Sequence, residues 1–110
     1  MLTLESFKAA RSALQAVLRP TPLIDSPYLS KTCGNNVYLK PENMQATGAY
    51  KLRGAYYKIS TLSQEEKDRG LVTASAGNHA QGVAYAAQAA GVAATIVMPT
   101  TTPLVKVNNT

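Results

Sequence analysis

LVTASAGNHAQGVAYAAQAAGVAATIVM, residues 71–98, decides the fold. The apolar run at 71–74 reads as a strand and Ser75-Ala76-Gly77 as a turn. Residues 78–90 read as a helix closed by Gly91, and 93–98 as a second buried strand. The apolar side of the helix carries small residues, Ala80, Ala84 and Ala87, so it is expected to lie close against a sheet. A strand–helix–strand unit of this kind pairs its strands in parallel with a right-handed crossover. Parallel sheets need cover on both faces. The pattern therefore predicts an α/β fold, an open parallel sheet of the doubly wound kind with helices on both faces. Ligands of such sheets sit beyond the carboxyl ends of the strands.

Upstream lies KPENMQATGAYKLRGA, residues 40–55. A short strand at 37–39 ends at Pro41, a polar loop holds Gly48, and a helix follows over roughly 50–62 with Leu52, Ala55, Tyr56 and Ile59 on one face. Gly54 costs that helix stability, which suggests a close approach by another segment. Lys51 falls in the first turn, where the positive end of the backbone dipole disfavours an ammonium group. A lysine pushed toward its neutral form is a nucleophile that can form a Schiff base with a carbonyl. Lysines are mostly solvated surface residues, so this position alone does not make Lys51 catalytic. What singles it out is that its loop and the 75–79 turn both fall beyond strand ends.

That turn, SAGNH, sets a serine hydroxyl, a glycine open to close approach and an asparagine amide at a helix N-terminus. The group suits an anion, carboxylate or phosphate. Taken by itself, capping of the helix by Ser75 and Asn78 is the simpler reading. It is not a dinucleotide fingerprint, because GxGxxG is absent. His79 is the only histidine, which excludes a histidine-rich metal site and makes it a helix-start residue sooner than a general base.

Elsewhere, Thr3 caps a helix expected to run to about residue 18, with Phe7, Ala10, Leu14, Val17 and Leu18 on its apolar face, stopped by Pro20 and Pro22. Residues 23–30 are ambiguous, with Tyr28 and Leu29 packing a short helical turn, and 33–36 form a turn. Ser63 and Glu66 make a capping box for a short helix ending at Gly70, and another helix begins at Leu104. A chain of 110 residues with 45% hydrophobic content is at most one domain. Its net charge of +5 is scattered, with no basic run interleaved with aromatics, which argues against a nucleic-acid partner. The single cysteine, Cys33, makes no internal disulfide and fits a reduced, cytoplasmic setting. No apolar run approaches membrane-spanning length and no charged-then-apolar leader opens the chain, so no membrane partner is expected.

Residues 40–55 together with ASAGNHAQGVA at 74–84, TPL at 21–23 and IVMP at 96–99 resemble the pyridoxal-phosphate enzymes of the threonine ammonia-lyase (threonine dehydratase) and serine racemase group, over essentially the whole chain. SAGNHAQGVA is more similar to the ammonia-lyases than to the racemases, which tend to carry a second serine and a glycine in this loop. The resemblance implies a fold-type II enzyme, similar to tryptophan synthase β, with pyridoxal 5'-phosphate as cofactor. It implies that Lys51 forms the internal aldimine and that Asn78 bonds the 3-hydroxyl oxygen of the ring. It further implies that Ser75, Gly77, Asn78 and His79 hold the substrate carboxylate. Tyr50, where the family usually has phenylalanine, would pack beside the cofactor. In part of the family a purine-nucleotide effector lies near the segment matching Gln45, Ala46 and Thr47.

The implied reaction converts L-threonine to 2-oxobutanoate and ammonia, with L-serine as a secondary small-molecule substrate, in a homo-oligomer of amino-acid metabolism and isoleucine biosynthesis. A serine racemase or serine dehydratase is the alternative. The family's glycine-rich phosphate loop and its residue facing the pyridine nitrogen are not found among these 110 residues. Residues 1–110 are therefore expected to be the N-terminal part of the catalytic domain, inactive alone, with one side of the sheet uncovered. For the isolated piece, a non-catalytic ligand-binding or assembly module is the remaining reading.

Overall fold

The computed structural model describes residues 1–110. Helix α1 (Leu4–Leu14) begins at Thr3, whose hydroxyl accepts from Ser6 N–H while the Ser6 side chain answers toward the Thr3 backbone. It stops short of the expected end near residue 18. The N–H groups of Val17 and Leu18 both turn back to the Leu14 carbonyl, and the chain is then drawn out straight. The cause is tertiary: the Gln45 side chain pairs with both backbone groups of Arg19, accepting its N–H and donating to its carbonyl at 3.1 Å each. The ambiguous stretch resolves into β1 (Ile24–Asp25) and α2 (Pro27–Cys33), followed by β2 (Tyr38–Leu39). Strands β1 and β2 pair antiparallel as a small separate sheet, Ile24 opposite Leu39.

A 3-10 turn (Glu42–Met44) and a left-handed Gly48 lead into α3 (Lys51–Ser60). Helix α4 (Gln64–Asp68) carries the expected capping box, with Ser63 Oγ accepting from Glu66 N–H and Glu66 accepting from Ser63 N–H. The deciding stretch folds as read: β3 (Leu71–Ala74), α5 (Asn78–Ala90) closed by Gly91 at φ 67°, and β4 (Ala94–Val97). Strands β3 and β4 pair in parallel, Leu71 beside Ala94 and Ala74 beside Val97. Helix α6 (Leu104–Asn108) follows the 99–103 loop. No helix is long and apolar enough to cross a membrane.

The core is the seam between α3 and α5. Leu52, Ala55 and Ile59 meet Val83, Ala86 and Ala87, with Val92 closing the end and Leu52 wholly buried. Small residues on α5 therefore serve a helix–helix contact first and the sheet second. Ala84 lies outside that seam, lining a cleft with Tyr85. The close approach expected at Gly54 occurs elsewhere. Gly54 is exposed with nothing within 4 Å, whereas a Cβ on Gly82 would meet Lys51 C, Leu52 N and Lys51 O at 3.2–3.3 Å. Only a residue without a side chain lets the two backbones touch.

Helix α5 also covers one face of the β3–β4 sheet, where Leu71, Thr73 and Ile96 are half-buried. The other face is open: Val72 is 79% and Val97 55% exposed. The reading of 93–98 as a buried strand is thus corrected. An apolar run reports that a strand wants cover, and the layer that supplies it must come from outside the run.

Candidate active site

Lys51 opens α3, and its main chain rests on Gly82, one turn of α5 (about 6 Å along the axis) past Asn78. The start of α3 and the first turns of α5 therefore form one junction. The Lys51 side chain is exposed, with its ammonium group 5.2 Å from the centre of the Tyr50 ring, itself largely exposed. Across the junction, Ser75 and Gly77 are half-buried, and Asn78 and His79 are exposed on the first turn of α5.

The capping reading of this turn does not hold. Gly77, not Ser75 or Asn78, is the N-cap, and no side chain bonds into the helix start. Ser75 Oγ accepts only from Gly77 N–H, at 3.3 Å, just outside the helix. The first backbone carbonyl used within the helix is that of Gly77, by Gln81 N–H at 3.2 Å. The earlier N–H groups at the positive end of the dipole are left for something else. The Asn78 side chain makes one hydrogen bond, accepting from Lys106 Nζ of α6 at 3.5 Å.

A cleft of about 670 Å³ does not enclose Lys51. It runs along the other side of α5, between residues 46–48, Asn78, Gln81, Tyr85 and α6. Of the implied effector segment, Ala46 and Thr47 line this cleft, while Gln45 is only 3% exposed and spent on Arg19. Gln81, 6% exposed, lines the cleft with an amide nitrogen that has no hydrogen-bond partner.

A polar cluster behind Lys51 escaped the sequence reading. Arg53 donates to both Glu42 oxygens, Nη2 to Oε1 at 2.7 Å and Nε to Oε2 at 2.9 Å. Thr21 donates to Glu42 Oε1 at 2.7 Å and accepts from Arg53 Nη2 at 3.2 Å, and Lys40 Nζ donates to the Thr21 carbonyl at 2.7 Å. The Arg53 guanidinium, helped by the Thr21 hydroxyl, holds the Glu42 carboxyl down at about 2, against the opposing pull of burial. The same bond raises the Arg53 pKa. The available signal was a carboxylate and a guanidinium bracketing one loop, but nothing local says that they face each other.

An exposed primary amine at one helix start and unclaimed backbone donors with a serine and an amide at the next suit a cofactor that is both an aldehyde and an anion.

Comparison with known proteins agrees. The chain belongs to the pyridoxal-phosphate dependent enzyme family, whose model matches residues 14–110. It is 56% identical over its full length to an L-threonine ammonia-lyase of Thermotoga maritima, of which it spans 27%. Among solved structures, it is similar to a processed threonine deaminase isoform 2 of Solanum lycopersicum, with TM-score 0.79 and 43% identity over 98% of this chain and 33% of that one. It is similar also to a serine racemase of Dictyostelium discoideum, with TM-score 0.91 and 36% identity over 98% of this chain and 36% of that one. The fold is that of the fold-type II enzymes, and the family's cofactor is pyridoxal phosphate. The chain spans about a quarter to a third of the lengths of these relatives.

Proposed function

We propose that residues 1–110 are the N-terminal part of the catalytic domain of a threonine ammonia-lyase, which turns L-threonine into 2-oxobutanoate and ammonia and accepts L-serine as a second substrate. The observation that carries the reading is the Gly82 contact, which sets the main chain of Lys51 against the helix whose start is uncapped. Lys51 would hold the cofactor through its amine and serve as the general base that takes the α-proton of the substrate. Pyridoxal phosphate, when bound, supplies an electron-poor ring that accepts the charge left on the α-carbon. Ser75, Gly77, Asn78 and His79 hold the substrate carboxylate at the positive end of α5. Asn78 would also bond the ring's 3-hydroxyl oxygen, and the Tyr50 ring would pack beside the cofactor. Threonine and serine differ by one methyl, which a pocket separates by only about 1–3 kcal/mol.

Backbone likeness is higher to the racemase and sequence identity is higher to the deaminase. Identity is the better guide to the reaction, because the two activities share a backbone and differ in the side chains that line it. The rest of such an enzyme would cover the sheet face left open at Val72 and Val97 and would bring the phosphate-binding loop. The cleft beside Ala46 and Thr47, with the unpartnered Gln81 amide nitrogen and Lys106, is where a purine-nucleotide effector would sit.

The deciding experiment uses the full-length protein. Borohydride reduction with pyridoxal phosphate followed by peptide mapping should place the label on Lys51. Lys51→Ala should lower turnover at least about 10³-fold, and wild-type protein should release 2-oxobutanoate from threonine. A label elsewhere or a persistent rate overturns the role of Lys51, and D-serine formation without keto-acid release favours the racemase.

A further inference from the structure

The cluster of Glu42, Arg53 and Thr21 has no part in the chemistry above, yet it sits directly behind the reactive amine. Arg53 follows Lys51 by two positions in the same turn, so it leaves α3 about 200° round the axis from it. The cluster therefore grips the helix from the back while Lys51 is presented at the front.

Its form is that of a device for orientation. A guanidinium seated on a carboxylate through two bonds fixes angle as well as distance. The Thr21 hydroxyl sits between the pair, bonded to both, and Lys40 anchors Thr21 through its carbonyl. Gln45 adds a second tie by pairing with both backbone groups of Arg19. The start of α3 is thereby joined to the loop before it and to the extended segment at 19–22. No cap holds that start otherwise, since Tyr50 has no side-chain bond into the helix. Replacing a partly buried ion pair by apolar residues is often neutral for stability, although removing one partner is costly, so stability alone does not explain the choice of this cluster. Apolar packing at Leu52 already joins α3 to α5. What packing cannot set is the rotation and tilt of the first turn, and those decide where the tip of a four-carbon side chain lies.

We propose that Glu42, Arg53 and Thr21 are positioning residues for Lys51, holding the first turn of α3 at the attitude proton transfer requires. The proposal rests on the reading of Lys51 given above. Errors of about 1 Å in such placement cost on the order of 10²-fold in rate, so the effect belongs in kcat.

The test compares wild type with Thr21→Val, Glu42→Gln and Arg53→Lys in the full-length holoenzyme, reading kcat and KM for threonine, the absorption band of the bound cofactor, the site of borohydride labelling and the thermal transition. Thr21→Val exchanges one hydroxyl for a methyl without changing charge and guards against loss of folding in the charged variants. The expected result is label on Lys51 throughout, a shifted cofactor band, kcat lower by about 10–100-fold and KM changed by less than about threefold. Folded variants with wild-type kcat and band overturn the proposal. So does a loss of activity that only follows the unfolded fraction. Absence of label from Lys51 in the wild type overturns the lysine's role, and this proposal with it, so the two failures are told apart.

Discussion

Two kinds of helix start stand side by side in this chain. Helices α1 and α4, away from the junction, begin with complete capping boxes at Thr3 and Ser63. Helices α3 and α5, whose starts meet beside Lys51, begin with none; α2 and α6 also lack a side-chain cap, but their starts carry Pro27 and Pro103. A capping box serves local stability by consuming the free N–H groups of the first turn. Where donors must remain for a ligand, the same bonds would be self-defeating. Stability at the junction is instead supplied by tertiary contacts: apolar packing at Leu52, backbone contact at Gly82, and the Arg53–Glu42–Thr21 cluster.

That contrast can be broken at several points. The largest effect is expected in acid. Glu42 titrates at about 2 against an ordinary 4.5, so its depressed pKa contributes stability that is full above about pH 5. The contribution is lost as pH falls through 4.5 toward 2, and for this carboxylate, 17% exposed at its side chain, it amounts to no more than about 3.5 kcal/mol. Urea denaturation of wild type and Glu42→Gln should therefore differ at pH 6 and converge near pH 2. A gap that does not change with pH would show that the ion pair does not anchor α3.

Gly82→Ala comes next. The added methyl meets backbone atoms at 3.2–3.3 Å, which should cost about 1–3 kcal/mol and lower kcat by displacing Lys51. Unchanged stability would mean that the seam is loose. The sharpest comparison pairs Ser63→Ala with Ser75→Ala. The first removes a capping hydroxyl and should cost about 1 kcal/mol with turnover unchanged. The second removes only a 3.3 Å bond outside the helix and should leave the melting curve nearly fixed while raising KM for threonine. If the effects are exchanged, the distinction between the two starts is wrong. Smallest and opposite in sign is Gly54→Ala, at an exposed position with free space around it. Calorimetry should show a gain of about 0.5–1 kcal/mol.

Much of this was readable in the chain. The βαβ unit at 71–98, with its Gly91 stop, the Ser63–Glu66 box and the Lys51 helix start came out nearly to the residue. Each depends on neighbours within a few positions. The misreadings share the opposite property. Which glycine marks a close approach, Gly54 or Gly82, depends on the helix lying opposite. Where α1 ends depends on Gln45, 26 positions beyond Arg19. The capping assigned to Ser75 and Asn78 failed because the same residue types serve a cap or a ligand, and only the backbone path through Gly77 separates the two.

The sequence by itself determined the strand–helix alternation, the family, and the residues proposed for a site, since hydrophobic period, turn chemistry and motif are all local properties of a chain. The tertiary structure alone decided that α3 rests on α5 at Gly82 and that Arg53, Glu42 and Thr21 close on one another behind Lys51. Those pairings span up to 32 positions. A contact between distant residues is created by packing of the whole, and no pattern along the chain encodes it separately.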